Sequence, residues 1–155
     1  MTAEELLRRY VAGERDFSGV DLGDTDLIDA GLIEVGLNEV NLSGINLSNA
    51  VLGQAYMEGI NFSCADLRNA SLFQSCLERA NLKGADLSFA SLGCASLSEA
   101  NLTGAKLVNA SLMSTYLRGA NLTEADLTGV KEWESADIKD CIFCNTIMPD
   151  GSVRR

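Results

Sequence analysis

The chain of 155 residues has no histidine, one proline and one tryptophan, and aromatic residues make up only 6% of it. Without histidine, the most common catalytic base and the usual nitrogen ligand of zinc are both missing. Basic residues are also few, since 12 Lys and Arg stand against 22 Asp and Glu, a formal net charge of -10. Nucleic acids and anionic lipids repel such a chain, so we expect no direct nucleic-acid binding and no membrane binding.

Long apolar runs are missing too, because no segment approaches the ~20 apolar residues of a membrane-spanning helix. The first ten residues carry acids before their arginines and have no apolar run typical of a signal peptide, so we expect a cytoplasmic protein. The five cysteines are an odd number, and reduced thiols are their simplest interpretation in that compartment.

A five-residue repeat dominates the chain. Every fifth residue from Phe17 to Leu127 is Leu, Phe or Met, and a small or β-branched residue, most often Ala, stands two positions before it. A period of five fits neither a continuous helix nor a continuous strand, but residues two apart point the same way in an extended segment. Each pentapeptide therefore predicts one short extended side that ends in a corner, with its two apolar residues directed inward.

The outward residue just before each central Leu indicates how many sides form one turn. Read every twenty residues, one such column is Asp21, Asn41, Asn61, Asn81, Asn101 and Asn121. A twenty-residue period predicts four sides per coil, because a three-sided coil would repeat at fifteen and break this column. We interpret the column as a structural ladder of stacked amides rather than a binding site.

Tandem A(N/D)LXX repeats over about nine-tenths of the chain resemble the pentapeptide-repeat family. The resemblance implies an all-β solenoid, a right-handed quadrilateral β-helix. The run GERDFSG at 13–19 and the ending CNTIMPDGS at 144–152 resemble cyanobacterial members. We divide the chain into an N-terminal capping α-helix at residues 1–14, the pentapeptide-repeat β-helix at 15–148 and a polar C-terminal tail at 149–155.

The two ends of the repeat have different features. Residues 2–14 predict a helix, since Thr2 and Glu5 have capping-box spacing and an apolar stripe follows at Leu6, Leu7, Tyr10 and Val11. Near the other end, Glu132 stands where a Leu is expected, which indicates one inserted residue around 131–135, with Trp133 in the bulge. No helix follows that end, so we expect it to be covered by the tail or open, in a monomer or a weak end-to-end dimer.

Candidate chemistry is sparse. The repeat places polar residues at all outward positions, and a rod with a filled core offers no deep pocket, so we predict no enzyme, no catalytic or metal-binding residues and no cofactor. Cys141 and Cys144 form a CxxC, a candidate redox pair or half of a zinc site. The structural interpretation is stronger, because no second CxxC exists and Cys141 falls at the small inward position.

Acidic residues gather at both ends of the repeat. The first group is Glu14, Asp16, Asp21, Asp24, Asp26, Asp29, Glu34 and Glu39, and the second is Glu124, Asp126, Glu132, Glu134, Asp137 and Asp140. Some pentapeptide-repeat proteins resemble B-DNA in size and charge and inhibit DNA gyrase, but such mimicry needs carboxylates along the whole length. Because the acids of this chain gather at the two ends, mimicry is the less favoured function. An acidic DNA-mimic inhibitor of DNA gyrase or another topoisomerase is kept as the alternative.

Outward apolar residues fall on three adjoining sides, and we expect none on the side that bears the Asn column. This distribution indicates a face for an unidentified protein partner, and it favours a non-enzymatic protein-interaction or scaffold module. Packing of Phe73 and Phe89 on neighbouring coils is the alternative explanation for those two residues. The candidate partner-binding face is Val51, Tyr56, Phe73, Phe89, Met113 and Tyr116.

Overall fold

The repeat forms a four-sided coil. The computed structural model describes residues 1–20, 22 and 26–155. Parallel backbone bridges join residues twenty apart, such as Asn61 with Asn81 and Ser71 with Ser91, which confirms four five-residue sides per coil. We name the sides A to D by their central buried residues, which in one coil are Leu82 on side A, Leu87 on side B, Leu92 on side C and Leu97 on side D.

Hydrogen bonds along the rod axis join each side to the coils before and after it. On side C, the Leu72 amide donates to the Ser91 carbonyl at 2.8 Å, and the Ser91 amide donates to the Ala70 carbonyl at 2.9 Å. The extended residues of a lateral side are therefore paired with neighbouring coils, and unpaired strand edges belong to the two ends of the rod.

A tight turn forms each corner. The Ala90 amide donates to the Leu87 carbonyl at 3.0 Å, and Phe89 between them has a φ of 61°. A positive φ at the third turn position is the feature of a type II turn, which favours Gly or Asn there. Corner residues along the repeat share this conformation even where they are neither, as at Cys94 and Glu99.

The core contains the predicted Leu and Ala pairs. Leu82, Ala85 and Leu87 are fully buried, so the inward assignment of the central Leu and of the Ala two positions before it is confirmed. Buried hydroxyls at the small inward position donate to backbone carbonyls: Thr115 Oγ1 to Leu92 of the coil before at 2.8 Å, and Ser75 Oγ to Leu72 of its own coil at 2.7 Å. Burial of such hydroxyls is tolerated because each has its hydrogen-bond partner.

Helix α1 spans Ala3–Val11, which is shorter than the predicted 2–14. Thr2 caps it, since its Oγ1 accepts a hydrogen bond from the Glu5 amide at 3.1 Å. The helix stops because the chain turns at Gly13, whose φ is 101°. Leu6 is fully buried and belongs to the same apolar cluster as Phe17, so the apolar face of α1 packs against the first coil.

The predicted one-residue insertion is confirmed. Ser111 bridges Lys131 across twenty residues, but Tyr116 bridges Asp137 across twenty-one. The extra residue is absorbed in a 3₁₀ turn at Trp133–Ser135, which follows Glu132 in the left-handed conformation. The Trp133 ring then lies edge-on to Phe143, with 6.5 Å between the ring centroids.

The C-terminal segment, predicted as a polar tail at 149–155, folds back on the last coil. Strand β1 at Thr146–Ile147 pairs antiparallel with strand β2 at Val153–Arg154. The chain reverses at Pro149-Asp150-Gly151, where Gly151 has a φ of 82° and the Asp150 carboxylate accepts a hydrogen bond from the Ser152 amide at 2.9 Å. The Arg154 guanidinium lies 3.9 Å from the centroid of the Phe143 ring, so the hairpin covers part of the C-terminal end.

Candidate interaction surface

The six candidate residues are all exposed, but they do not share one side. The register of the repeat places Val51, Phe73 and Met113 on side C. Phe89 lies at the corner between sides B and C, and its side chain is 59% exposed. The two tyrosines, at 56 and 116, lie on side D. The structure therefore brings four of the six residues to side C or its border.

Side C has an uncharged strip in its middle. Its outward residues over four successive coils are Val51, Gly53, Gln54, Ser71, Phe73, Gln74, Ser91, Gly93, Cys94, Ser111, Met113 and Ser114, and none is charged. Side A also has few charges in this region, but its outward residues are Asn, Ser, Thr and Gly, with Cys64 and Lys83. The uncharged strip is thus where low charge coincides with large apolar side chains.

Phe73 and Met113 meet over Gly93, which lies between them in the same column. A Cβ built on Gly93 would be 3.2 Å from Phe73 Cδ2 and 3.6 Å from Met113 Cε. The missing side chain therefore leaves room for both neighbours to lie along the surface. Large residues and glycine alternate through this column, in the order Ile33, Gly53, Phe73, Gly93 and Met113. The result is a continuous apolar patch at the centre of the uncharged strip.

Phe89 is unusual at its corner. The same column contains Asp29, Asn49, Asn69, Asn109 and Gly129, which are residue types that tolerate a positive φ. A bulky residue held in this left-handed conformation costs about 1–2 kcal/mol. Phe89 also exposes its ring to water, so neither backbone strain nor burial explains a Phe here. Strained residues of this kind concentrate at functional sites.

Replacing Phe89 with Asn is therefore expected to stabilise the fold. Asn adopts the φ of 61° at this corner with less strain than Phe. We therefore expect the free energy of unfolding to rise by about 1 kcal/mol, which is roughly 2–4 °C in melting temperature for a chain of this size. Thermal unfolding followed by circular dichroism measures it. The reciprocal change Asn69→Phe, in the same column, should lower the melting temperature by a similar amount. A Phe89→Asn protein no more stable than the wild type would contradict this assignment.

Side D provides a polar setting for its tyrosines. A shallow depression of about 460 Å³ is lined there by Glu78, Ser96, Ser98, Tyr116, Arg118 and Asp137. Within it, the Ser96 hydroxyl donates to the Glu78 carboxylate at 2.9 Å. Tyr116 lines this depression and Tyr56 lies on the same side, so neither tyrosine belongs to the apolar patch on side C. The predicted partner-binding face is thereby reduced to Val51, Phe73, Phe89 and Met113.

The Asn column on side A forms the predicted amide ladder from Asn41 to Asn81. Asn61 Nδ2 donates to Asn41 Oδ1 at 2.7 Å, and Asn81 Nδ2 donates to Asn61 Oδ1 at 3.0 Å. The column ends differently from the prediction, because Ile142 pairs with Asn121 and is 53% exposed. The expectation that this side bears no outward apolar residue is therefore wrong in the last coil, where the insertion shifts the register by one.

The model of the pentapeptide repeats family matches residues 16–54, 41–79, 80–119 and 95–131, in eight copies. The chain belongs to the pentapeptide-repeat family. Membership implies the right-handed β-helix of this family, whose proteins are generally non-catalytic structural or interaction modules. A comparison with curated protein sequences finds no match.

Several solved pentapeptide-repeat structures are similar to this chain. Rfr23 from the cyanobacterium Cyanothece 51142 is 26% identical, with 87% of this chain and 99% of that chain covered and a TM-score of 0.71. A pentapeptide repeat protein from Nostoc Pcc 7120 is 36% identical, with 74% and 80% covered and a TM-score of 0.34. Trypsin-treated QnrB1, a plasmid-mediated fluoroquinolone resistance protein, is 20% identical, with 81% and 80% covered and a TM-score of 0.46.

The CxxC of this pentapeptide-repeat protein has one thiol facing inward and one facing outward. Cys141 is half-buried, and its Sγ donates to the Leu117 carbonyl at 3.0 Å. Burial raises the pKa of the Cys141 thiol to about 11, so little nucleophilic thiolate exists at neutral pH. Cys144 is exposed, and both residues are free thiols. This geometry gives Cys141 a packing role and does not favour the candidate redox pair.

Ion pairs neutralise acids in the middle of the rod. Arg68 donates to both carboxylate oxygens of Asp66, at 2.8 and 2.6 Å, and this hydrogen bonding lowers the pKa of the Asp66 carboxyl. Arg79 also pairs with Glu58 of the preceding coil, through a single contact from its Nη2 to Glu58 Oε1. Of the predicted N-terminal acidic group, Asp21 and Asp24 lie outside the described residues.

The described residues bring no set of three or more Cys, Asp or Glu side chains together in a geometry that could hold a metal ion. Within the same part of the chain, no helix has the length and apolar character needed to cross a bilayer.

Proposed function

We propose that this chain is a non-enzymatic protein-interaction module that presents side C to a protein partner. The observation that carries the proposal is the apolar patch of Phe73 and Met113 over Gly93, at the centre of a strip without charge on a protein of net charge -10. An exposed apolar patch bordered by polar residues is typical of a protein-binding site. Phe89, strained and exposed at the border of this strip, supports the same surface.

The shape of the molecule supports a binding role rather than catalysis. The interior is filled by Leu and Ala side chains, and the depressions on the outside, such as that on side D, are shallow. A rigid rod instead holds surface side chains at fixed spacing, which lowers the entropy cost of binding. We propose a cytoplasmic location. We also propose a monomeric state, because the acidic C-terminal coil disfavours end-to-end association between identical copies.

A pull-down with the full chain as bait tests this function. We expect the double variant Phe73→Ser/Met113→Ser to retain its fold but to lose its specific partner by about tenfold or more, because it removes the apolar centre of the site. The readout is the amount of each captured protein, quantified by mass spectrometry against the wild-type bait.

The matched control is Lys83→Ser/Thr103→Ser, which alters the equivalent outward positions on side A. This control should capture the partner as well as the wild type does. Equal capture by all three baits, or equal loss with the control, would remove side C as the binding surface.

The DNA-mimic alternative requires carboxylates along the length of the rod, whereas Arg68 and Arg79 neutralise acids in its middle. We therefore expect no inhibition of gyrase supercoiling at micromolar protein. Inhibition at that concentration would favour the mimic over the interaction module.

A further inference from the structure

We infer that the partner segment is a single amphipathic α-helix that lies along side C, with an apolar centre and basic residues at both ends. This inference rests on the proposed function and specifies the chemistry of the partner. It follows from three observations: the occupied backbone of side C, the distribution of charge along the rod and the size of the strip.

The backbone of side C excludes recognition by strand addition. On this side the amides and carbonyls of the extended residues already bond along the axis, as Leu72 does with Ser91 and Ser91 with Ala70. The turn amides of Phe73, Gly93 and Met113 have no backbone bond, but one such amide per coil does not form a strand edge. An extended segment laid on the strip would bury its own amides and carbonyls against Phe73 and Met113 without partners. A helix satisfies its backbone internally and binds through side chains alone, so it fits this surface at lower cost.

The charge along the rod defines the ends of the partner. Residues 14–39 contain eight acids and one Arg, a formal charge of -7, and residues 124–140 contain six acids and two Lys, a charge of -4. The chain between them is balanced. Around side C itself, the acids are Asp29 and Glu34 at one end and Glu132 and Glu134, beside Lys131, at the other. A segment that runs along side C therefore meets more acids than bases at both ends and no charge in the middle, which favours Lys or Arg at its two ends.

The dimensions suit one helix. Glu34 and Glu134, at the two ends of side C, are separated by five coil steps of about 4.8 Å, or about 24 Å. A helix rises 1.5 Å per residue, so about 16 residues span this distance. A second copy of this chain fits less well, because two copies would bring their like-charged ends together.

The test is selection from a displayed library of 16-residue helices, with the full chain as the target. We expect enriched sequences to carry apolar residues at i, i+3, i+4 and i+7 and Lys or Arg at both ends. Purified winners should bind Phe73→Ser/Met113→Ser about tenfold more weakly than the wild type. They should also bind Glu34→Lys/Glu134→Lys more weakly, and peptides with Glu at both ends should bind that variant better than they bind the wild type.

The inference fails if the library yields no binder, or if the winners bind the Phe73→Ser/Met113→Ser protein as well as the wild type. It also fails if the winners lack basic ends, or if their affinity is insensitive to the charge reversal. If a native partner still depends on Phe73 in the pull-down, the proposed function stands and only the helical partner is ruled out. If neither the library winners nor a native partner depends on Phe73, the interaction surface itself is eliminated.

Discussion

Replacing Ala85 with Leu is expected to destabilise the protein by about 3 kcal/mol, or roughly 6–12 °C in melting temperature. Ala85 is fully buried at the small inward position, between the central residues Leu82 and Leu87. Each coil must accommodate four such residues beside four larger ones in a narrow interior. Three additional carbon atoms cannot fit without moving side chains in neighbouring coils, because bonded coils hold the backbone at a fixed spacing.

The control for this prediction is Lys83→Leu, two residues earlier in the same repeat. Lys83 is exposed on side A, so the same final side chain should change the free energy of unfolding by less than about 0.5 kcal/mol. Chemical unfolding of both variants, with wild type in parallel, measures the difference. Similar midpoints for Ala85→Leu and Lys83→Leu would overturn the inward assignment of the Ala column.

Replacing Leu6 with Ala is expected to cost about 2–5 kcal/mol, since the substitution leaves a cavity between α1 and the first coil. Leu6 is the buried residue of α1 and shares its cluster with Phe17 and Leu22. The end of a solenoid exposes apolar side chains and unpaired backbone groups unless another element covers it. Loss of this contact should therefore loosen the N-terminal coils first.

Val11 provides the matched control for this second prediction. It lies in the same helix but is 84% exposed, so Val11→Ala should be almost neutral. Hydrogen exchange separates local loosening from global unfolding: in Leu6→Ala, amides of residues 27–37 should exchange faster than those of residues 82–97. Uniform protection in Leu6→Ala, equal to that of wild type, would show that α1 does not stabilise this end.

Much of the fold is readable from the sequence because one rule recurs. The five-residue period identifies the inward residues, and the twenty-residue columns identify which residues stack, as the Asn61–Asn81 bridge shows. Where the period breaks, the insertion at 131–135 is also visible, because Tyr116 must then pair with a residue one position later. These features depend on sequence spacing alone, and each repeat contributes an independent observation of the same rule.

Features outside the period were harder to predict. The pairing of β2 with β1 occurs once, so no column reports it, although Pro149-Asp150-Gly151 is a turn sequence that signals a chain reversal. Ile142 was missed because the insertion moves it into the Asn column. The strain at Phe89 was detectable in principle, since its corner column otherwise contains only Asp, Asn and Gly. Its significance appears only when the backbone shows a positive φ at every such corner.

For the candidate surface, the sequence likewise predicts the side on which a residue lies but not which side chains it contacts. Sequence columns place Phe73 and Met113 on one side, but they do not show that both side chains lie over Gly93. The columns already place Tyr56 and Tyr116 on another side, side D, but they do not show which outward side chains contact one another. Surface chemistry therefore depends on how neighbouring coils share space, which the repeat rule leaves open.

Site-specific photo-crosslinking in cells of the source organism tests the central claim most directly. A photoreactive phenylalanine analogue is placed at position 73 on side C or, in a second strain, at position 83 on side A, both outward positions of the same kind. We expect a discrete crosslinked protein from position 73 and none from position 83, and Phe89→Asn should weaken that product without unfolding the rod. The same product from both positions, or none from position 73, would contradict side C as a protein-docking surface.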